Sequence, residues 1–139
     1  MKSKMFQSST IITRAAKLTN PDLLFKESPK PYFPLIILNN YAYHPQAEKL
    51  SQRAWSQYES GNLRQCANIL MLAAQEYFCT PPHTPVLGIT LVETAAECML
   101  FTGKKKKAKL FFNSAAELAE LWGYPQKAEK IRKRADEIK

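Results

Sequence analysis

The sequence predicts an all-α protein, in which antiparallel helix pairs stack as a short solenoid with a C-terminal capping helix, preceded by an extended, proline-rich arm. Three observations support this class. From residue 46 onward, apolar residues recur at intervals of three and four, the period of a helix buried on one face. Apolar residues make up 45% of the chain, as in an ordinary globular protein. The four glycines are few for a protein of turns and strands, and we expect them where helices end.

Residues 1–45 differ in composition from the helical-repeat domain expected at residues 46–139. A short helix is predicted over residues 8–18, before the Asn-Pro pair at 20–21. Prolines at positions 29, 31 and 34 exclude both a helix and a central strand, so this stretch should be an extended arm. Its neighbouring aromatic residues, Tyr32 and Phe33, are candidates for contact with a partner.

Five helices are predicted in the domain that follows. The first runs from residue 46 to the glycine at 61, and the others cover about 63–78, 86–101, 104–122 and 126 to the end. The third is apolar nearly all round and should be the most buried. The fifth has a thin apolar stripe on a charged cylinder, as suits a capping helix with one neighbour. The expected core contains Trp55, Leu70, Leu91, Phe101, Phe111, Phe112 and Trp122.

The strongest signal is an internal repeat. Gly61 and Gly103 are each preceded by alanine at seven residues and followed by matched residues at five, nine and twelve, so the units are offset by 42 residues. The matched residues are Ala54, Cys66, Leu70 and Ala73 in the first unit and Ala96, Ala108, Phe112 and Ala115 in the second. Gly123, followed by Ala128 and Ala135, repeats part of the pattern. A glycine adopts the positive φ of a tight turn, and small residues let two helices approach closely.

This pattern resembles the tetratricopeptide repeat over about residues 47–139. The period of 42 exceeds the ~34 residues typical of that family, and Met99 lies where an aromatic residue is usual. A longer-period relative, a HEAT-like pair or a plain helical bundle also fits. The resemblance implies a non-catalytic module that binds a peptide or helix in a groove lined by the first helix of each pair. The candidate groove residues are Lys49, Arg53 and Gln57.

The net charge of +8 is unevenly distributed, because residues 1–45 carry +4, residues 46–103 carry −2 and residues 104–139 carry +6. The basic residues of the last part form a candidate patch for an anionic partner: Lys104, Lys105, Lys106, Lys107, Lys109, Lys127, Lys130, Lys133 and Arg134. Helical spacing predicts that two cations are internally paired, Lys133 with Glu129 and Arg132 with Asp136. The patch favours an alternative function, association with nucleic acid or a ribonucleoprotein.

Residue types typical of catalysis are poorly represented. The two histidines, His44 and His83, have no second metal ligand at helical spacing, and no phosphate-binding loop, nucleophile elbow or dinucleotide motif is present. We therefore expect no metal site, no cofactor and no enzymatic activity. Glu93 and Glu97, one turn apart on the apolar third helix, are expected to mark its solvent-facing strip.

The cellular setting is also constrained. The longest apolar stretch, residues 86–101, contains two glutamates and is shorter than the ~20 residues of a membrane span. The three cysteines, Cys66, Cys79 and Cys98, lie among apolar residues, so they are expected to be reduced and buried. We expect a soluble, intracellular protein, with organelle import through the basic N-terminus left open. The hypothesis is an adaptor or scaffold subunit that binds other proteins, with a homodimer as a further arrangement.

Overall fold

In the computed structural model, residues 31–34 and 44–139 are described. The predicted helix at residues 8–18 and most of the predicted arm lie outside these residues. The described chain contains five α-helices and no strand, which confirms the all-α class. The helices are α1 Pro45–Glu59, α2 Leu63–Cys79, α3 Pro85–Phe101, α4 Lys105–Leu121 and α5 Pro125–Asp136.

Proline and glycine explain most of the helix boundaries. Proline is the first residue of α1, α3 and α5, where its missing N–H would have no partner within the helix. Gly61, Gly103 and Gly123 follow α1, α3 and α4 with φ of 85°, 80° and 88°. Gly88, in contrast, lies inside α3, so the expectation that every glycine ends a helix is wrong for this residue.

The three glycine turns share one hydrogen-bond pattern. Each glycine donates its N–H to the carbonyl three residues earlier, and the residue after it donates to the carbonyl five residues before itself, as Lys104 does to Met99. This is a Schellman turn, which satisfies the last carbonyls of a helix and requires a left-handed residue. The turn reverses the chain within three residues, so consecutive helices pack side by side and antiparallel.

The residues of the internal repeat lie where the helices meet. The matched alanines, together with Cys66 and Leu70, are fully buried, and Phe112 is nearly so. In the third unit the position nine residues after the glycine is Arg132, where the first two units have Leu70 and Phe112. Arg132 lies on the outer, charged side of α5, as the capping role predicts.

The helices form a stack in which alternate helices also meet. Each helix packs against the preceding and following one. The rings of Phe78 in α2 and Trp122, just after α4, lie 6.3 Å apart, while α3 and α5 are joined by ion pairs. α3 lies inside this stack and has ten buried residues, more than any other described helix, as its apolar sequence predicts.

The predicted core needs three corrections. Phe101 is 46% exposed, because it ends α3 at the edge of the stack, where neighbouring helices no longer cover it. Phe111 is half-buried, since Phe112 occupies the inward position and adjacent helical residues point about 100° apart. Trp122, beyond the end of α4, is also half-buried. Buried alanines fill much of the α4 contact instead.

The described part of the arm, residues 31–34, contacts α1. Phe33 is buried, and its ring lies 5.0 Å from that of Trp55 and 5.1 Å from that of Tyr58. The Tyr58 hydroxyl donates to the Pro31 carbonyl at 2.7 Å. These four residues are neither helix nor strand, as expected for a proline-rich segment.

Candidate interaction surfaces

Two of the basic residues predicted on α5 are engaged within the chain. Arg134 donates to both carboxylate oxygens of Glu97 in α3, each at 3.1 Å, and lies 5.4 Å from the centre of the Phe112 ring. The ammonium of Lys127 lies 3.2 Å from Glu93. Glu93 and Glu97 therefore mark a partly exposed strip, as expected, and the α5 cations complete it.

Arg132 forms an ion pair with a different residue from the one that its spacing predicts. It donates two hydrogen bonds to Glu120 of α4, at 2.9 and 3.2 Å, and so the predicted pair with Asp136 is wrong. These hydrogen bonds lower the pKa of the Glu120 carboxyl and raise the pKa of Arg132. Lys133 is exposed, and the predicted pair with Glu129 is not among the ion pairs within the described range.

The lysine run at the start of α4 has a different environment. Lys104, Lys105, Lys106, Lys107 and Lys109 are all exposed. Among the residues that the structure describes, none of these lysines forms an ion pair. The structure therefore divides the predicted basic patch into a partly neutralised part on α5 and an unpaired part on α4.

A surface cleft of about 470 Å³ lies beside Thr102, two residues before the lysine run begins. Its lining includes Arg64, Gln65 and Asn68 from the first turns of α2, and Thr102 from the turn that precedes Lys104. None of the described residues that line the cleft has a carboxylate. Arg64 thus lies at the same edge of the stack as the α4 lysines, a juxtaposition that its position in the sequence does not reveal.

The opposite edge of the stack carries an aromatic cluster that sequence reasoning missed. The centre of the Trp122 ring lies 6.3 Å from that of Phe78 and 5.6 Å from that of His83. Beside it, Leu121 is 77% exposed and Tyr124 is 36% exposed. We call these five residues the aromatic edge. The only sequence signal was the apolar run 121–124, interpreted as the end of a helix.

The residues predicted to contact a partner lie in two regions, the groove candidates on α1 and the aromatic residues of the arm. Lys49 and Arg53 are exposed on α1, and Gln57 is half-buried there. Tyr32 is 70% exposed, whereas Phe33 is buried against α1 and presents little surface to a partner. Tyr32 and Phe33 therefore have different environments in this structure.

Several titratable side chains are buried inside the stack of helices. Cys66 in α2 and Cys98 in α3 are fully buried, and the hydrogen bond between their thiols, with burial, raises the pKa of Cys66. Cys79 is exposed at the end of α2, so the expectation that all three thiols are buried is wrong. His44 is buried and donates from Nε2 to the Pro82 carbonyl. Burial, followed by the charge of Glu48, raises the pKa of Tyr77.

Neither metal-binding clusters nor membrane spans are found in the described residues. Within residues 31–34 and 44–139, no three His, Cys, Asp or Glu side chains converge closely enough to hold a metal ion. No helix in the same part of the chain has the length and apolar character needed to cross a membrane. Comparisons with protein-family models, curated proteins and solved structures found no match.

Proposed function

We propose that this chain is a non-catalytic protein–protein interaction module, an adaptor or assembly subunit that docks on another protein through the aromatic edge. The observation that carries the proposal is the clustering of Trp122, Tyr124 and Leu121 on one exposed edge. Tryptophan and tyrosine dominate the binding energy of protein interfaces when they are packed beside other apolar groups. Trp122 is held in place by Phe78 and His83, so little side-chain entropy is lost on binding.

The expected partner is a protein segment that presents apolar side chains to Leu121 and Trp122. Arg132 and Glu120, paired beside this edge, form part of a polar rim that hydrogen-bonds to polar atoms around an apolar contact. If the helix pairs are tetratricopeptide-like, α1 provides a second contact surface for a partner. Lys49, Arg53 and Gln57 are candidates there.

Cys79 makes a direct test available, because it is the exposed thiol of the chain and follows Phe78 at this edge. A photo-crosslinker attached to Cys79 is activated in an extract of the native source, with and without nuclease and at low and high salt. The same is done with a Leu121→Glu variant. The control carries the crosslinker on α4 instead, in a Cys79→Ser/Asn113→Cys variant, at an exposed position outside both the aromatic edge and α1.

We expect a protein that crosslinks from Cys79 despite nuclease and high salt, does not crosslink from position 113, and is lost in Leu121→Glu. The purified partner should bind the wild-type chain and bind Leu121→Glu at least tenfold more weakly. A crosslink to a second copy of the chain would make the module a homodimer. A partner captured equally from both positions, or unaffected by Leu121→Glu, would contradict docking through the aromatic edge.

A further inference from the structure

The protein-binding proposal leaves the unpaired cations at the other edge unexplained. We define the basic edge as Arg64, Lys104, Lys105, Lys106, Lys107 and Lys109. All six are exposed, and within the described residues none has a carboxylate partner. In contrast, Lys127, Arg132 and Arg134 on α5 each pair with a glutamate.

The arrangement is electrostatically unfavourable in the isolated chain. Lys105 and Lys109 are four residues apart on α4, as neighbours on one helix face, and like charges at this spacing repel. Lys106 and Lys109 are neighbours in the same way. An anionic partner converts this repulsion into attraction, because each phosphate contact also releases condensed counterions.

Phe101 indicates which kind of anion fits this edge. Its half-exposed ring lies at the end of α3, three residues before Lys104, and so it adjoins the lysine run. An exposed aromatic ring beside lysines is the combination on which single-stranded nucleic acids bind, with bases stacked on the ring and the backbone on the cations. An acidic protein surface would pair with the lysines but would not stack on the ring of Phe101.

The cleft lined by Arg64 and Thr102 adds hydrogen-bonding groups. Its lining includes the side-chain amides of Gln65 and Asn68, and none of the described residues that line it has a carboxylate that would repel a phosphate. Amide side chains both donate and accept hydrogen bonds, as the edges of unpaired bases require. We therefore propose that the basic edge, with Phe101 and this cleft, binds single-stranded nucleic acid.

The test measures binding of the full chain to a fluorescent, unstructured RNA of about 20 nucleotides by fluorescence anisotropy. If five of the six cations contact phosphates, a slope of about −0.7 per phosphate gives roughly 100-fold weaker binding between about 50 and about 200 mM salt. A Lys105→Glu/Lys106→Glu variant should reduce affinity at least tenfold at low salt. The matched control, Lys49→Glu/Arg53→Glu, has the same change in charge on α1 and should bind nearly as the wild type does.

Phe101→Ala separates stacking from charge. Loss of one stacked base weakens binding about tenfold, with an unchanged salt slope, because no cation is removed. A duplex RNA of equal length, whose bases are not free to stack, should bind equally well to wild type and Phe101→Ala. Single-stranded DNA of the same sequence measures how much the 2′-hydroxyls contribute.

The Lys105→Glu/Lys106→Glu variant should remain folded, since glutamate in the first turn of a helix is favoured over lysine. Circular dichroism checks this. Equal loss of affinity in the two charge variants would contradict the proposal, as would RNA binding that does not change with salt. If polyglutamate or anionic vesicles bind as tightly as RNA, and Phe101→Ala has no effect, the edge is a general polyanion surface and the nucleic-acid proposal is wrong.

Discussion

The guanidinium of Arg134 in α5 donates two hydrogen bonds of 3.1 Å to the carboxylate of Glu97 in α3, although the two residues are 37 positions apart in the chain. The guanidinium also lies over the ring of Phe112 in α4, at 5.4 Å from its centre. Arg134 thus joins α5 to both α3 and α4. This cation stabilises the fold, so Arg134 is a poor candidate for the anion-binding residue that its charge suggested.

We expect Arg134→Ala to lower the free energy of unfolding by about 1–2 kcal/mol. A partly exposed ion pair contributes at most ~1 kcal/mol, and the contact with Phe112 adds a similar amount. Chemical denaturation measures the change. The control is Arg132→Ala, which removes the exposed ion pair with Glu120 and should lower the free energy of unfolding by less. A double-mutant cycle with Glu97→Ala should give a clear coupling energy, and additive effects would show that the pair contributes nothing.

The Ser51 hydroxyl is fully buried in α1, and no group within the described residues accepts from it or donates to it. We expect Ser51→Ala to raise the free energy of unfolding by about 1 kcal/mol, because it removes a desolvated polar group and improves helix propensity. The control Ser56→Ala, on the exposed side of the same helix, improves only helix propensity, so it should raise the free energy of unfolding by less. If Ser51→Ala destabilises the protein, the hydroxyl has a partner in solution.

The repeat assigns Ala108 to the contact between helices, where it is fully buried. Ala108→Leu should separate α4 from its neighbours and cost roughly 1–3 kcal/mol, as overpacking does. Lys109→Leu, at the adjacent exposed position, places the same side chain in solvent and should change stability little. A neutral Ala108→Leu in thermal denaturation would show that the helix register differs from the one described.

Gly88 lets the Phe78 ring lie against the backbone of α3. A Cβ at this position would lie 2.7 Å from the ring, so Gly88→Ala must displace Phe78, on which Trp122 stacks. Helix propensity improves by up to ~1 kcal/mol and offsets part of the cost. We expect the indole N–H signal of Trp122 to move in NMR spectra while that of Trp55 stays. Equal movement of both signals would indicate a change in the whole stack.

The thiols should differ strongly in reactivity. In the folded protein one equivalent of thiol, Cys79, should react rapidly with a disulfide reagent at mildly alkaline pH. Cys66 and Cys98 should react only after unfolding, because both are fully buried and the raised pKa of Cys66 disfavours its thiolate. A Cys79→Ser variant should lose the rapid phase. Three rapid equivalents in the native protein would contradict the described core.

The helices and turns followed from the sequence because the forces that define them are local. Apolar residues at helical spacing predict which face of α2 is buried, and the glycine at 61 predicts a residue with positive φ. Every boundary of the described helices except the end of α5 lies within two residues of a proline or glycine. The alanines of the repeat were expected at helix contacts for the same reason, since only small residues let two backbones approach closely.

The surfaces could not be predicted in this way, because they depend on which distant residues the stack brings together. Within residues 44–139 the sequence by itself determined the five helices, their buried stripes and the total charge. Only the tertiary structure decided that Arg134 would be paired while Lys105 has no ion-pair partner among the described residues, and that Phe101 would lie at an edge instead of in the core. Charge and apolar character belong to a residue, but its partners depend on how neighbouring helices overlap in three dimensions.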